Sequence, residues 1–332
     1  MKQSKPTIKI IATGGTIAGA GSPRTTTTGY QPGALHIDEL LKEIPDLSNL
    51  SNIEVEQLFN IDSVDMTTER LLELGKYVNQ ILLEDEIDGV VITHGTDTLE
   101  ETAYFLHLVV KSSKPVVIVG AVRPATALSA DGPLNIYNGV KVACNKESHG
   151  KGILVVLGDR IGSARYMTKT HTTTVDTFKA IEQGCIGAIV GSDVYFFYEN
   201  ITYRHTTETV FDITSVHQLP KVSIIYAHQG DESFLYDAVI QSGAKGIVIA
   251  TTGGYTLSKE AAIGARNALN NDIVVVRSSR LSSGVVSLTH MDTHHDYIVG
   301  EALNPQKARM LLMIALTKTN TKEDIQPFFY TY

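Results

Sequence analysis

Short apolar runs and amphipathic stretches alternate along the first half of the chain, and this rhythm limits the fold more than any other feature. The runs fall at Thr7–Thr13, Ile53–Asn60, Gly89–His94, Val116–Gly120 and Ile153–Gly158. Several are apolar at successive positions. Such strands need cover on both faces, as in a parallel sheet flanked by helices. The intervening stretches have helical spacing. Met66–Leu83 sets Leu71, Leu72, Leu74, Val78, Ile81 and Leu82 on one stripe. Thr98–Val110 opens with Glu100 and Glu101, acidic residues suited to the positive end of a helix. Asp131–Asn145 carries Leu134, Ile136, Val140 and Val142. Strand, helix, strand in succession predicts an α/β fold with right-handed crossovers.

The rhythm breaks after Val190. Asp193 to His217 is rich in Tyr, Phe and Thr and reads as extended ribbon and linker. It resumes at Val222–His228, Gly246–Thr251 and Ile273–Ser278, with a helix at Ser258–Asn270, a second at Pro305–Lys318 and a short one from Lys322. The 332 residues suffice for about two domains at ~150 residues each. The boundaries fall at 1–200 for a larger domain, 201–220 for a linker and 221–332 for a smaller α/β domain.

Composition excludes several functions. The net charge of −8 with no basic stripe argues against nucleic-acid binding. The apolar runs are too short to span a bilayer. Two cysteines make neither a disulfide framework nor a Cys-rich zinc site; Cys144 and Cys185 are expected to be buried and inert. Met1 to Lys9 is polar and shows no leader pattern. The expected location is cytoplasmic, or periplasmic if a native leader was removed.

Two strand ends carry small and hydroxyl residues. The first is Ala12-Thr13-Gly14-Gly15-Thr16-Ile17-Ala18-Gly19. In doubly wound sheets ligands sit outside the carboxyl ends of strands, where this turn lies. It is not a nucleotide loop: G-x-G-x-x-G is absent, and Ala20 and Gly21 stand where a P-loop needs Lys and Ser/Thr. A tight structural turn is the plain alternative. The second is Thr93-His94-Gly95-Thr96-Asp97-Thr98, followed by Glu100-Glu101. Thr98 with Glu101 reads as a capping box, which leaves Thr96 and Asp97 at the strand tip unexplained.

Together the two turns resemble the signatures of the bacterial type II L-asparaginase/glutaminase family. The resemblance continues through Lys114-Pro115-Val116-Val117, Leu128-Ser129-Ala130-Asp131-Gly132-Pro133-Leu134-Asn135 and Leu303-Asn304-Pro305-Gln306-Lys307-Ala308-Arg309. It implies a larger flavodoxin-like parallel-sheet domain, a smaller α/β domain and an amidohydrolase acting on a small-molecule amide. Thr16 matches the nucleophile and Tyr30 the tyrosine of a mobile lid. Thr96, Asp97 and Lys169 match a second set. Ser63 matches a residue that binds the substrate α-carboxylate; Thr96 and Asp97 are matched to substrate-binding positions as well, Asp97 as the remaining strong partner of the α-ammonium. The resemblance implies no cofactor, no metal, and a homotetramer built as a dimer of dimers. The apolar C-terminal helix with Leu311, Leu312, Ile314 and Leu316 fits that assembly. Taken singly, Tyr30 reads as a loop tyrosine, Lys169 as a surface lysine and Ser63 as a cap before the helix from Met66.

The pattern departs from the family at three positions. Val64 stands where a Gln usually follows the substrate-binding Ser, Gly254 stands at a loop Asn, and counting from Gly284 puts Met291 at a Glu, with Asp292 adjacent. In the family these surround the substrate α-amine, the last two from a neighbouring subunit. Their loss with the hydrolytic set intact points to a substrate with a substituted amine, such as a sugar–asparagine conjugate, or to replacement contacts from Asp292 or Tyr255. A non-catalytic amino-acid-binding relative is the reading from another class. His290–Asp296 has metal-like spacing but reads as a polar surface loop.

Overall fold

The computed structural model describes residues 5–198 and 206–332. Residues 201–205 of the expected linker, and the end of the ribbon before them, lie outside the described residues. The chain divides into two compact units, residues 1–214 and 215–332.

In the larger unit the elements run β1 (Thr7–Gly14), α1 (Ile37–Lys42), α2 (Leu47–Leu50), β2 (Asn52–Ile61), α3 (Thr68–Ile81), β3 (Gly89–Thr93), α4 (Leu99–Val109), β4 (Val116–Val119) and α5 (Gly132–Ala143). There follow β5 (Ile153–Leu157), β6 (Arg160–Ser163), the small hairpin β7 (Thr168–Lys169) and β8 (Phe178–Lys179), β9 (Gly187–Val190) and β10 (Asp193–Phe196). The main sheet has the order β10-β9-β6-β5-β4-β3-β1-β2. Strands β2, β1, β3, β4 and β5 are parallel, while β6, β9 and β10 add an antiparallel edge. The sheet is therefore mostly, not wholly, parallel. The strand at Arg160–Ser163 was not expected, because Arg-Ile-Gly-Ser carries no run of apolar residues. Strands β3, β4 and β5 are buried at every position, as continuous apolar runs require.

The order 2-1-3-4-5 is the flavodoxin-like one, with its switch point between β1 and β3. Connections leave these neighbouring strands toward opposite faces of the sheet, opening a crevice at their carboxyl ends. The two hydroxyl turns identified in the sequence sit on that crevice.

Helix boundaries follow local chemistry. The predicted stripe of α3 is wholly buried, and its cap is Thr67, whose hydroxyl accepts from the Arg70 N–H. Ser63 is therefore not the cap. At α4 the expected capping box does not form. Thr98 holds the cap position, but its hydroxyl donates to the Ser63 carbonyl at 2.7 Å, tying the β3 turn to the tip of β2.

In the smaller unit, β11 (Val222–Tyr226), α6 (Phe234–Gln241), β12 (Gly246–Thr251), α7 (Lys259–Leu269), β13 (Val274–Ser279), α8 (His290–His295), β14 (Ile298–Val299), α9 (Pro305–Ala315) and α10 (Lys322–Thr331) follow in order. The sheet β11-β12-β13-β14 is parallel throughout. Helix α9 packs against β11, β12 and β13, and Leu311, Leu312 and Ile314 are fully buried there. These side chains serve the unit's own core, so they cannot form a subunit interface as expected.

His290–Asp296 is also not a surface loop. His290–His295 forms α8, started by a capping box between Thr289 and Asp292. Asp292 is fully buried. It accepts from both the Nε and Nη2 of Arg277, the latter at 2.6 Å. Arg277 also donates to the carbonyls of Gly254 and Ser287. Burial alone would raise the Asp292 carboxyl, but the hydrogen bonds from Arg277 and Thr289 hold it below its ordinary value. A charge so paired inside the unit cannot turn outward to a ligand. Asp292 is thereby removed as a replacement for the lost amine contacts. Among the described residues no cluster of His, Cys, Asp and Glu could hold a metal ion, and no helix is long and apolar enough to cross a membrane. Both cysteines are partly exposed rather than buried. Burial nonetheless pushes the Cys144 thiol up to about 11, so this thiol is inert at neutral pH.

Candidate active site

The end of β1 is shaped by two glycines in left-handed backbone, Gly14 at φ 98° and Gly15 at φ 82°. A Cβ on Gly15 would lie 2.2 Å from the Gly95 Cα, and one on Gly14 would lie 2.4 Å from the Ile61 nitrogen. Only glycine lets the tips of β2, β1 and β3 meet this closely. The Gly15 N–H closes the contact by donating to the Ile61 carbonyl at 2.7 Å. The chain then turns through Thr16–Ala18, bringing Thr16 to the mouth of the crevice.

Thr16 is 9% exposed, and its hydroxyl lies 2.6 Å from that of Tyr30. Tyr30 reaches it from an excursion whose stem is the Ala20–Gln31 bridge. The tyrosine ring lies on Gly19, where a Cβ would come within 3.0 Å of it. Burial lifts the Tyr30 phenol above its ordinary value of 10; the Thr16 hydrogen bond opposes this, and the charges of Asp97, Asp62 and Asp131 add to the rise. The phenol is therefore neutral at physiological pH.

Thr96 is 4% exposed. The Lys169 ammonium donates to the Thr96 hydroxyl at 2.9 Å and to Asp97 Oδ1 at 2.5 Å. Lys169 is held by the β7–β8 pairing, Lys169 opposite Phe178, and its side chain is only 17% exposed. It is not an ordinary surface lysine.

A cavity of about 310 Å³ unites these groups, at the small end of ligand-binding pockets. Thr16, Tyr30, Thr96, Asp97 and Lys169 all line it. Ser63 does not: it is 3% exposed and packs behind Gly95, whose added Cβ would come within 2.7 Å of the serine hydroxyl. Its neighbour Asp62 lines the cavity instead, with Thr27, Thr28, Val122, Thr172 and Thr173. Sequence reasoning missed these six. The signal for Asp62 was its place beside Ser63 at the end of a predicted strand; the threonines lie in loops without periodicity.

Beneath the site, His94 is fully buried and neutral. Its Nδ1–H donates to the Gly95 carbonyl at 2.7 Å, so Nε2 must accept from the Thr102 hydroxyl at 3.0 Å. Burial pushes its pKa down from 6.5 to about 4. Between these values the unfolded chain binds the proton and the folded one does not. The stability held above pH 6.5 is thus lost as pH falls toward 4, by about 3 kcal/mol from this group. Urea unfolding of the wild type and His94→Gln between pH 7 and 4 checks this. The variant, whose amide keeps a donor and an acceptor, should show the shallower decline, and equal slopes would contradict the assignment.

The arrangement gathers hydroxyl, ammonium and carboxylate groups around one cavity on a doubly wound sheet, and the comparisons identify the family. Residues 7–202 match the model "Asparaginase, N-terminal" and residues 221–329 the model "Glutaminase/Asparaginase C-terminal domain". The chain belongs to the asparaginase family of amidohydrolases. It is 52% identical to L-asparaginase 2 of Bacillus subtilis, over 100% of this chain and 88% of the relative. It is 44% identical to the probable periplasmic L-asparaginase of Haemophilus influenzae, over 98% and 92%. The structure of a probable cytoplasmic L-asparaginase from Campylobacter jejuni superposes with a TM-score of 0.96 at 46% identity, covering 99% of this chain and 100% of that one.

Proposed function

We propose that the protein hydrolyses the side-chain amide of L-asparagine, or of an asparagine derivative, to an aspartate product and ammonia through an acyl-enzyme on Thr16. The supporting observation is the pair of hydroxyl sets, Thr16–Tyr30 and Thr96–Lys169–Asp97, on one cavity at the switch point. A threonine hydroxyl is a weak nucleophile and needs a proton acceptor. Tyr30 is the group bonded to it. As Thr16 Oγ1 attacks the amide carbon, its proton passes to the Tyr30 oxygen, while the phenol proton moves on toward the departing nitrogen. Ammonia leaves and an ester remains on Thr16. Water then attacks the ester, assisted by Thr96 and Lys169 with Asp97 holding the lysine, and Thr16 regains its proton. Ser63, which packs behind Gly95 and not on the cavity wall, is proposed to serve the α-carboxylate side from there.

The relatives named above include proteins described as periplasmic and as cytoplasmic, and either compartment suits this chain. A homotetramer remains the proposed assembly. Its support shifts from α9 to the smaller unit's exposed side chains Tyr226, Phe234, Tyr255, Leu281, Val285 and Leu288.

Ammonia release from L-Asn, L-Gln, D-Asn and N-substituted Asn tests the reading. L-Asn or an N-substituted Asn should release ammonia, and silence across the panel would overturn it. A second reading, preference for asparagine substituted on its α-nitrogen, draws on three observations. Val64 is 62% exposed beside the site, Gly254 has open space where a side chain would stand, and Asp292 is locked to Arg277. On this reading kcat/KM for free Asn falls below that for an N-glycosyl Asn by about 10-fold or more. Val64→Gln with Gly254→Asn should move preference back. High kcat/KM on free Asn, with every N-substituted analogue ignored, would contradict it.

A further inference from the structure

Asp62 lines the cavity, and nothing in the mechanism above uses it. It precedes the short turn Ser63–Asp65 in the cap position, yet its side chain makes no capping hydrogen bond. Its carbonyl accepts from the Asp65 N–H, but among the described residues its carboxylate has neither a hydrogen bond nor an ion pair. The other cavity carboxylate, Asp97, is engaged by Lys169. With Lys169 balanced by Asp97, Asp62 is a surplus negative charge on the cavity wall. Its charge reaches the catalytic side, since it acts with Asp97 and Asp131 on the Tyr30 phenol.

The sheet order explains its position. Strand β1 lies between β2 and β3, so Asp62, just past the end of β2, and Asp97, in the turn after β3, approach the Thr16 turn from opposite sides. Gly14 pairs with Ile61 across β1 and β2, which draws the β2 tip toward the Thr16 turn. An asparagine-type substrate with its amide carbon at Thr16 carries its α-nitrogen only three bonds away. From there the nitrogen can reach toward either carboxylate of the cavity wall.

We propose that Asp62 is a specificity-determining residue that holds the substrate α-ammonium with Asp97, taking over from the polar partners absent at Val64 and Gly254. This rests on the asparagine-type substrate proposed above. The contact is a charge-assisted hydrogen bond, which accepts a primary or a secondary ammonium alike. Val64, exposed and apolar two residues on, leaves room for a group on that nitrogen.

Asp62→Asn tests the proposal with two substrates: asparagine, and succinamic acid, which has the same amide and carboxylate but no amine. Because the Asp62 side chain makes no capping bond, the substitution leaves the turn intact, and thermal melting checks this. Asp62→Asn should lower kcat/KM for asparagine about 10- to 100-fold, mainly through KM, the scale for losing a hydrogen bond to a charged group. For succinamic acid kcat/KM should change less than about 3-fold. Asp62→Glu should recover part of the loss on asparagine. Equal losses on both substrates, or none on asparagine, would overturn the role of Asp62. If the wild type releases ammonia from neither of these nor from an N-substituted Asn, the proposed amidohydrolase reading itself has failed.

Discussion

Thr16→Ala is expected to lower turnover of the preferred amide by at least ~10²-fold with little loss of stability. The substitution removes the hydroxyl and a γ-methyl and leaves every other group of the cavity in place. Thr16 sits on a turn fixed by the Gly14–Gly15 backbone and the Gly15–Ile61 hydrogen bond, so its side chain is not needed for local folding. Among the described residues its single side-chain partner is Tyr30, an outer residue that can rebond to water. Binding of substrate should largely survive, because Asp62, Asp97 and Lys169 remain. The expected pattern is therefore a collapse of kcat with a modest change in KM. Near-normal turnover by Thr16→Ala would refute the nucleophile assignment.

Lys169→Met is expected to have an effect of similar size, again at least ~10²-fold. Methionine keeps the length and packing of the lysine stem but removes the ammonium that bridges Thr96 and Asp97. Two losses compound. Thr96 loses its proton-transfer partner, and the Asp97 carboxylate loses its counter-charge beside a second carboxylate, Asp62. On the proposed mechanism the deacylation step suffers most, so the acyl-enzyme should accumulate in Lys169→Met and be absent in Thr16→Ala. Rapid-quench kinetics separates the two variants. If Lys169→Met acylates and deacylates like the wild type, the second set is structural.

Much of the fold was legible because its physics is local. Strands buried on both faces must be apolar at each position, and β1, β3, β4 and β5 stand where the runs fell. The hydroxyl turns were legible because glycine and threonine at the end of an apolar run have few other uses. Other features depend on contacts remote in sequence. Lys169 lies in a two-residue strand with no hydrophobic pattern; only the family resemblance singled it out. Asp292 read as an exposed acid because nothing near it in sequence announces Arg277, 15 residues away on β13. α8 was missed since His-Met-Asp-Thr-His-His has no amphipathic stripe and depends on its capping box. Thr98 was read as a helix cap by a local rule, but the Ser63 carbonyl, 35 residues earlier, competes for its hydroxyl and wins. Asp62 was not singled out because what marks it, a carboxylate without a partner among the described residues, is nothing a sequence can display.

The central claim, that the acyl group rests on Thr16, can be tested by mass spectrometry of enzyme acid-quenched during turnover. Trypsin cleaving after Lys9 and Arg24 releases residues 10–24 as one peptide, with Thr13 and Thr16 as its only hydroxyl residues besides Ser22. Thr13 is buried, its hydroxyl donating to the Thr93 carbonyl, and Ser22 lies outside the cavity lining. Lys169→Met should enrich the adduct. The account predicts an aspartyl ester on that peptide, fragmenting to Thr16. An ester on the peptide that carries Thr96, with Thr16 unmodified, would contradict it.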